Sequence, residues 1–140
     1  MTRIDFYIVP SPELRRLQHT ACRIADKAFQ QGLRVHIQVD SSDTAQSLDQ
    51  LLWTFRDQSF VPHAIEPHQS TAYPVTIGIQ GEPPAPRQVL INLAPDIAPH
   101  FADFERVAEL VGQEPAARQA GRRRYRHYRD LGYELTTHEL

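Results

Sequence analysis

Residues 4–39 read IDFYIVPSPELRRLQHTACRIADKAFQQGLRVHIQV, and this stretch decides the fold because it predicts a strand, a helix and a second strand in succession. After the first apolar run, Ser11 is a predicted helix N-cap and Pro12 occupies the first helical position. Apolar residues then recur at intervals of three and four, which indicates an amphipathic helix that ends near Gly32. Strict alternation of apolar residues over 33–39 predicts a half-buried strand.

The chain beyond residue 40 continues the alternation of helices and strands. The predicted order is helix, loop, strand, strand, helix and helix, over residues 41–55, 56–73, 75–79, 89–93, 101–111 and 115–131. Gly132 follows the last helix, where glycine tolerates the left-handed backbone of a helix end. A strand–helix–strand start implies parallel strands joined by right-handed crossovers. We therefore expect a single three-layer α/β domain over residues 1–140 with a mostly parallel sheet.

Composition is that of an ordinary globular protein, with 41% hydrophobic and 23% charged residues. Cys22 is the only cysteine, so no disulfide forms within the chain, which fits a reducing compartment. The first residues lack the features of a signal peptide, and no apolar run approaches the about 18 residues of a membrane span. A cytoplasmic protein without a membrane partner is expected.

Charge is distributed unevenly along the chain. Residues 115–129 contain six arginines and no acidic residue, so their charge is +6, and the total of −2 leaves −8 for the remainder. Lys27 is the only lysine. Arginine forms bidentate pairs with carboxylates and phosphates and stacks on aromatic rings. The asymmetry indicates an acidic partner for this one segment.

The sequence lacks the motifs of common enzymes and of cofactor and metal sites. No two of the six glycines stand in a dinucleotide-binding arrangement, and the sole lysine, Lys27, does not belong to a phosphate-binding loop. No nucleophile-elbow or H-E-x-x-H motif is present. His63 and His68 share a predicted loop, but local hydrogen bonding is favoured over metal ligation because no acidic or cysteine companions accompany them. We expect no catalysis, no cofactor and no metal.

An aromatic cluster lies where the second predicted helix meets the loop. Trp53, Phe55 and Phe60 fall within eight residues of one another. Such residues pack in a core, and large aromatics at the ends of elements also anchor protein–protein contacts. The sequence physics alone leaves core packing and an interface both open.

An arginine-rich face is predicted on the final helix. Arg118, Arg122, Tyr125, Arg126 and Arg129 stand at i, i+4, i+7, i+8 and i+11 and share one side. Like charges at this spacing repel, so a binding surface is favoured, although pairing with acids elsewhere in the fold is an alternative. Arginines beside tyrosine fit either an acidic peptide with an aromatic residue or single-stranded nucleic acid.

Two blocks of the chain resemble the chi subunit family of DNA polymerase III. They are residues 48–63 (LDQLLWTFRDQSFVPH) and residues 118–132 (RQAGRRRYRHYRDLG). The resemblance covers nearly the whole chain in order. It implies a Rossmann-like α/β fold without nucleotide chemistry and a non-catalytic adaptor of the clamp-loader complex in DNA replication.

The resemblance also implies two partners. The psi subunit of the clamp loader would contact Trp53 and Phe60. The acidic, phenylalanine-ended C-terminal tail of single-stranded DNA-binding protein would contact four residues of the last helix, which are Arg118, Arg122, Tyr125 and Arg126. Contact with DNA would be only indirect.

Two other functions remain open. A module that binds single-stranded nucleic acid directly would use the same arginine and tyrosine face, although its charge is usually strongly basic. A small enzyme would carry a pocket at the carboxyl ends of the strands, which only the fold class favours.

Overall fold

A computed structural model describes residues 1–54, 61–65 and 73–140. The strands are β1 (Arg3–Ile8), β2 (Val35–Gln38), β3 (His63–Ile65), β4 (Val75–Gly78), β5 (Val89–Asn92), β6 (Arg106–Val111) and β7 (Leu135–Glu139). The helices are α1 (Leu14–Gln30), α2 (Ser42–Thr54) and α3 (Pro115–Asp130), with a short 3-10 helix at Phe101–Asp103.

The strands form one sheet in the order β3-β4-β2-β5-β6-β1-β7. Every pairing between these strands is parallel. The first strand, β1, lies between the last two, β6 and β7. Ile4, for example, pairs with both Val107 and Leu135. The predicted three-layer α/β fold with a mostly parallel sheet is confirmed.

The two faces of the sheet are covered by different helices. α1 and α2 pack on one face, where Ala25, Ile37 and Leu52 are completely buried. α3 packs on the other face, where Tyr128 is completely buried against β1 and β6. Burial of one large apolar side chain contributes about 1.5–3 kcal/mol, so the apolar stripe of each helix helps to hold it on the sheet.

The helix predicted over residues 101–111 is wrong. A single 3-10 turn occupies Phe101–Asp103, and Arg106–Val111 is the strand β6 between β5 and β1. Ala108 belongs to the α1 side of the core and Val107 to the α3 side, so both faces of the strand are buried. A strand buried on both faces reads as a continuous apolar run, and periodicity cannot distinguish such a run from a helix.

The ends of the helices differ from prediction at one point and agree at another. α1 begins at Leu14 with Glu13 as its N-cap, so Ser11 and Pro12 lie before the helix. The Ser11 hydroxyl accepts a hydrogen bond from the Glu13 backbone N–H at 3.1 Å within that approach. Gly132 has a φ of +89°, which confirms the predicted left-handed residue after α3.

Besides β6, two further strands were not predicted. β3 is only three residues long and lies within the stretch predicted as a loop. β7 follows α3 and pairs with β1 along its whole length. Its sequence, LTTHE, is polar because it forms the edge of the sheet and buries little.

Candidate functional site

A groove of about 450 Å³ lies between α3 and β7. Phe6, Ile8 and Val111 form its apolar floor. One wall carries Arg118, Arg122 and Tyr125 from α3, and the other carries Thr137 and Glu139 from β7. The groove therefore combines an apolar floor with a cationic wall. We refer to it below as the α3 groove.

The approach of α3 to the sheet depends on Gly121. A Cβ atom at this position would lie 2.9 Å from both Cγ atoms of Val111, closer than side-chain carbons approach in folded proteins. Only glycine fits there without displacement, so the helix lies close to β6. Tyr125, one turn further along the helix, places its ring edge-on to Phe6 with the centroids 5.3 Å apart. Tyr125 remains 36% exposed, so its ring borders the groove.

Three of the four residues predicted for the tail peptide lie together in this groove. Arg118, Arg122 and Tyr125 line it, one helical turn apart. Arg126 is exposed on the same helix but does not line the groove. The helical spacing was enough to bring the three together, whereas the opposite wall on β7 was not predicted.

Arg124 has a different environment from the other arginines of α3. Its side chain is 5% exposed, and its Nε donates to Glu109 Oε1 at 2.9 Å while Nη1 donates to the Pro95 carbonyl at 2.8 Å. The Tyr128 hydroxyl donates to Glu109 Oε2 at 2.6 Å, and Asn92 Nδ2 lies 3.0 and 3.1 Å from the two carboxylate oxygens. Arg124, which does not belong to the predicted arginine face, therefore pairs with an acid inside the fold.

Burial dominates the electrostatics of this network. It raises the pKa of Glu109, and the charge of Arg124 and the donors of Tyr128 and Asn92 act against that rise. Burial and the neighbouring Glu109 carboxylate raise the pKa of Tyr128 above its ordinary value. These groups connect α3 to β5 and β6, so they hold the helix that carries the groove wall.

A second exposed feature lies at the end of α2. Trp53 is 53% exposed, and its ring lies 4.8 Å from the ring of buried His63, centroid to centroid. His63 Nδ1 is 2.6 Å from the Val61 carbonyl oxygen, and Nε2 is 3.0 and 3.1 Å from oxygens of Asp49. Both nitrogens are thus engaged locally. Phe55, Phe60 and His68 lie outside the described residues.

The two features are far apart in the sheet order. Trp53 lies beside β3, at one end of the sheet, on the side covered by α2. The α3 groove lies against β7, at the other end, on the opposite face. Within the described ranges, no helix is long and apolar enough to span a membrane.

Comparison with known proteins gives a consistent result. The family model described as "DNA polymerase III chi subunit, HolC" matches residues 1–136. A protein of Pseudomonas aeruginosa named DNA polymerase III subunit chi is 43% identical over 141 residues, covering 100% of this chain and 98% of its own. The protein of that name in Escherichia coli is 31% identical over 144 residues, with 98% and 97% covered.

A third relative, from Haemophilus influenzae, carries the same name and is 29% identical over 139 residues, with 97% of this chain and 96% of its own covered. The match thus extends over nearly the full length of each relative. It includes both the Trp53 block and the helix that carries the α3 groove. The chain therefore belongs to the DNA polymerase III chi subunit family, whose members are accessory subunits of the replication machinery.

Proposed function

We propose that this protein is an adaptor that links the psi subunit of the clamp loader to the C-terminal tail of single-stranded DNA-binding protein. The observation that carries the proposal is the α3 groove, because its apolar floor and arginine wall match an acidic peptide that ends in an aromatic residue. Membership of the chi subunit family supports the same assignment.

The tail binds with its aromatic side chain on the apolar floor and its carboxylates toward α3. Phe6, Ile8 and Val111 provide the floor, and the ring of Tyr125 borders it. Arg118 and Arg122 pair with the carboxylates through charge-assisted hydrogen bonds. Glu139 on the β7 wall repels acidic side chains, so it helps to direct them toward the arginines.

Arg126 has an outer role in this arrangement. It is exposed on α3 beyond the groove, where it attracts acidic residues that precede the end of the tail. Such long-range attraction increases the association rate and weakens with salt. Arg118 and Arg122 therefore contribute mainly to the lifetime of the complex.

Trp53 is the proposed anchor for psi. A half-exposed tryptophan at a helix end is the type of residue that dominates binding at protein interfaces. Its position on the far side of the sheet from the α3 groove lets both partners bind at once. Phe60 is proposed as its companion from the resemblance alone, since it lies outside the described residues.

Simultaneous binding gives the adaptor its effect. Single-stranded DNA-binding protein coats the template, and this chain holds its tail while psi holds the clamp loader. Linking two modest interactions raises the local concentration of the loader at the coated template. No reaction is required of the chain for this function.

The test is titration of the protein with a synthetic acidic peptide that ends in phenylalanine, beside the same peptide without that phenylalanine. We expect saturable binding of the first peptide and loss of binding for the second. A salt-sensitive interaction with an oligonucleotide, and none with either peptide, would instead support the alternative of a nucleic-acid-binding module. The exposed arginines of α3 outside the groove are the feature that favours this alternative.

A further inference from the structure

Among the described residues, one strip of the sheet has no helix packed closely over it. All-parallel sheets are usually covered by helices on both faces. Here α1 packs on β2, β5 and β6, and α2 packs on β3 and β4. Among the described helices, none packs to a similar extent over β1 and β7 on this face. Thr136 is exposed there, and Tyr7 and His138 are only partly buried.

A cleft of about 750 Å³ lies between this strip and the flank of α1, and it is larger than the α3 groove. Its apolar lining comes from both sides. Ile24 and Ala28 contribute from α1, and Tyr7 and Val89 contribute from the sheet. Leu140 borders the same cleft and is 55% exposed. We call this feature the α1 cleft.

The rim of the α1 cleft is cationic. Arg23 and Lys27 are exposed on α1, one helical turn apart, and Arg106 faces them from β6. Arg106 is held in place because its Nε donates to Asp5 at 3.0 Å and its Nη2 donates to the Tyr7 hydroxyl at 2.6 Å. Asp26 in the lining and Asp5 behind Arg106 are both buried, so the accessible charged side chains of the lining are those of Arg23, Lys27 and Arg106.

The lining favours a polypeptide over a nucleic acid. Tyr7 is the only tyrosine in the lining, and no phenylalanine or tryptophan accompanies it among the described residues. Its ring is already stacked on His138, with the centroids 4.7 Å apart and the planes 15° from parallel. Single-stranded nucleic acids need accessible rings on which bases can stack. An apolar floor with a cationic rim instead matches an amphipathic segment that carries acidic side chains.

We propose that the α1 cleft is a docking site for an acidic amphipathic helix of a partner protein, which lies beside α1 across β1 and β7. Such a helix completes the missing part of the helical layer over the sheet. Its apolar face covers Tyr7, Ile24 and Leu140, and its carboxylates pair with Arg23, Lys27 and Arg106. This site is separate from both the α3 groove and Trp53.

The probe for the test is a synthetic peptide of about 18 residues, or about five helical turns, with leucine on one helical face and glutamate on the other. A control peptide carries lysine at every glutamate position. Binding to the full chain is followed by NMR, through the backbone amide signals of Ala28, Val89 and Arg106. Signals of Gly121 and Tyr125 are followed separately, because they report on the α3 groove.

We expect the acidic peptide to shift the signals of the α1 cleft in a saturable manner, and the basic peptide to leave them unchanged. The double variant Arg23→Glu/Lys27→Glu should weaken this binding by about tenfold, since two attractive charges become repulsive. Both positions are exposed, so the fold should persist, and the variant should retain the affinity of the wild type for the phenylalanine-ended peptide.

Three results would overturn the proposal. They are an absence of shifts in the α1 cleft, equal shifts with the acidic and the basic peptide, and equal binding of the acidic peptide by the double variant. If the first result is accompanied by shifts of these signals with an oligothymidylate, the cleft is a nucleic-acid site instead. Failure of the tail peptide to bind would contradict the adaptor function and leave this test unaffected.

Discussion

The α3 groove and the Trp53 site differ in how the fold supports them. The groove is formed by a long helix and by strands that pair along five or six residues, and α3 is fixed to the sheet by the Glu109–Arg124 ion pair. Trp53 is the next-to-last residue of α2, and its ring rests on a histidine of a three-residue strand. Rigid support suits selection of a defined peptide end, whereas a helix end suits a large partner that brings its own structure.

The largest effect on the free energy of unfolding is expected from Glu109→Gln, which changes the network that supports the α3 groove. The substitution leaves the buried Arg124 guanidinium without its counter-ion, which typically destabilises a fold by about 3–5 kcal/mol. Urea denaturation measures the free energy of unfolding, and peptide titration measures the α3 groove. Asp130→Asn is the matched control because its pair with Arg129 is exposed, so its effect should be within about 0.5 kcal/mol. A Glu109→Gln effect no larger than this control would mean that the network does not hold α3.

Acid should destabilise the fold that carries both sites through His36, which lies in β2, an interior strand between them. Burial lowers the pKa of His36 from 6.5 to about 4. The unfolded chain therefore binds the proton more tightly, and stability falls as the pH decreases from about 6.5 to about 4, by about 3 kcal/mol. The pKa of Asp5 is lowered from 3.8, because the His138 hydrogen bond and the charges of Arg106 and Arg3 outweigh its burial, so its contribution is lost only below this window.

Unfolding free energies measured across this pH range test the assignment to His36. The variant His36→Asn retains a polar group near Thr76 Oγ1, which lies 2.7 Å from His36 Nδ1. Its stability should depend less on pH between 6.5 and 4, whatever its absolute value. An unchanged slope in the variant would assign the acid sensitivity to other groups.

Trp53→Ala should affect only the second site. Loss of a tryptophan anchor commonly weakens an interface by about 2–4 kcal/mol, so association with psi should be lost at working concentrations. Tail binding should be unchanged, because the α3 groove lies at the other end of the sheet. Gel filtration with purified psi and peptide titration measure the two activities. A parallel loss of both would indicate unfolding, and retention of psi binding would remove Trp53 from the interface.

Arg122→Ala is expected to have the smallest of these effects, with tail binding weakened by about 1–3 kcal/mol through the loss of a charge-assisted hydrogen bond. Arg123→Ala is the matched control, since Arg123 is exposed on the same helix but does not line the groove. It should change affinity by much less, and mainly through salt-dependent attraction. Equal losses in the two variants would show that only the overall charge of α3 matters.

The sequence predicted those parts of the molecule that depend on local spacing. The order of β1, α1, β2 and α2 and the positions of Arg118, Arg122 and Tyr125 on one helix face follow from periodicity. β6 was mistaken for a helix because a strand buried on both faces has no alternation. β7 was missed because an edge strand buries too little to show a pattern, and with it one wall of the groove.

The buried network around Glu109 could not be predicted from local sequence patterns, for a different reason. Arg123 and Arg124 are indistinguishable by residue type, and only the fold shows which of them meets Glu109. One signal was present, since Gly121, Arg124 and Tyr128 fall at i, i+3 and i+7 and so share a helix face. The corresponding signal on the sheet was Glu109, a glutamate within the apolar run of β6. Only the position of α3 over β6 in the fold shows that these two signals belong together.

The position of β1 between β6 and β7 has a consequence for synthesis on the ribosome. β1 acquires its neighbours only when β6 and β7 have been made, as the bond between His138 and Asp5, 133 positions apart, illustrates. Pairings of such long range fold slowly. The floor and walls of the α3 groove come from both ends of the described chain, so the groove lacks the wall formed by Thr137 and Glu139 until β7 has been synthesised and paired with β1.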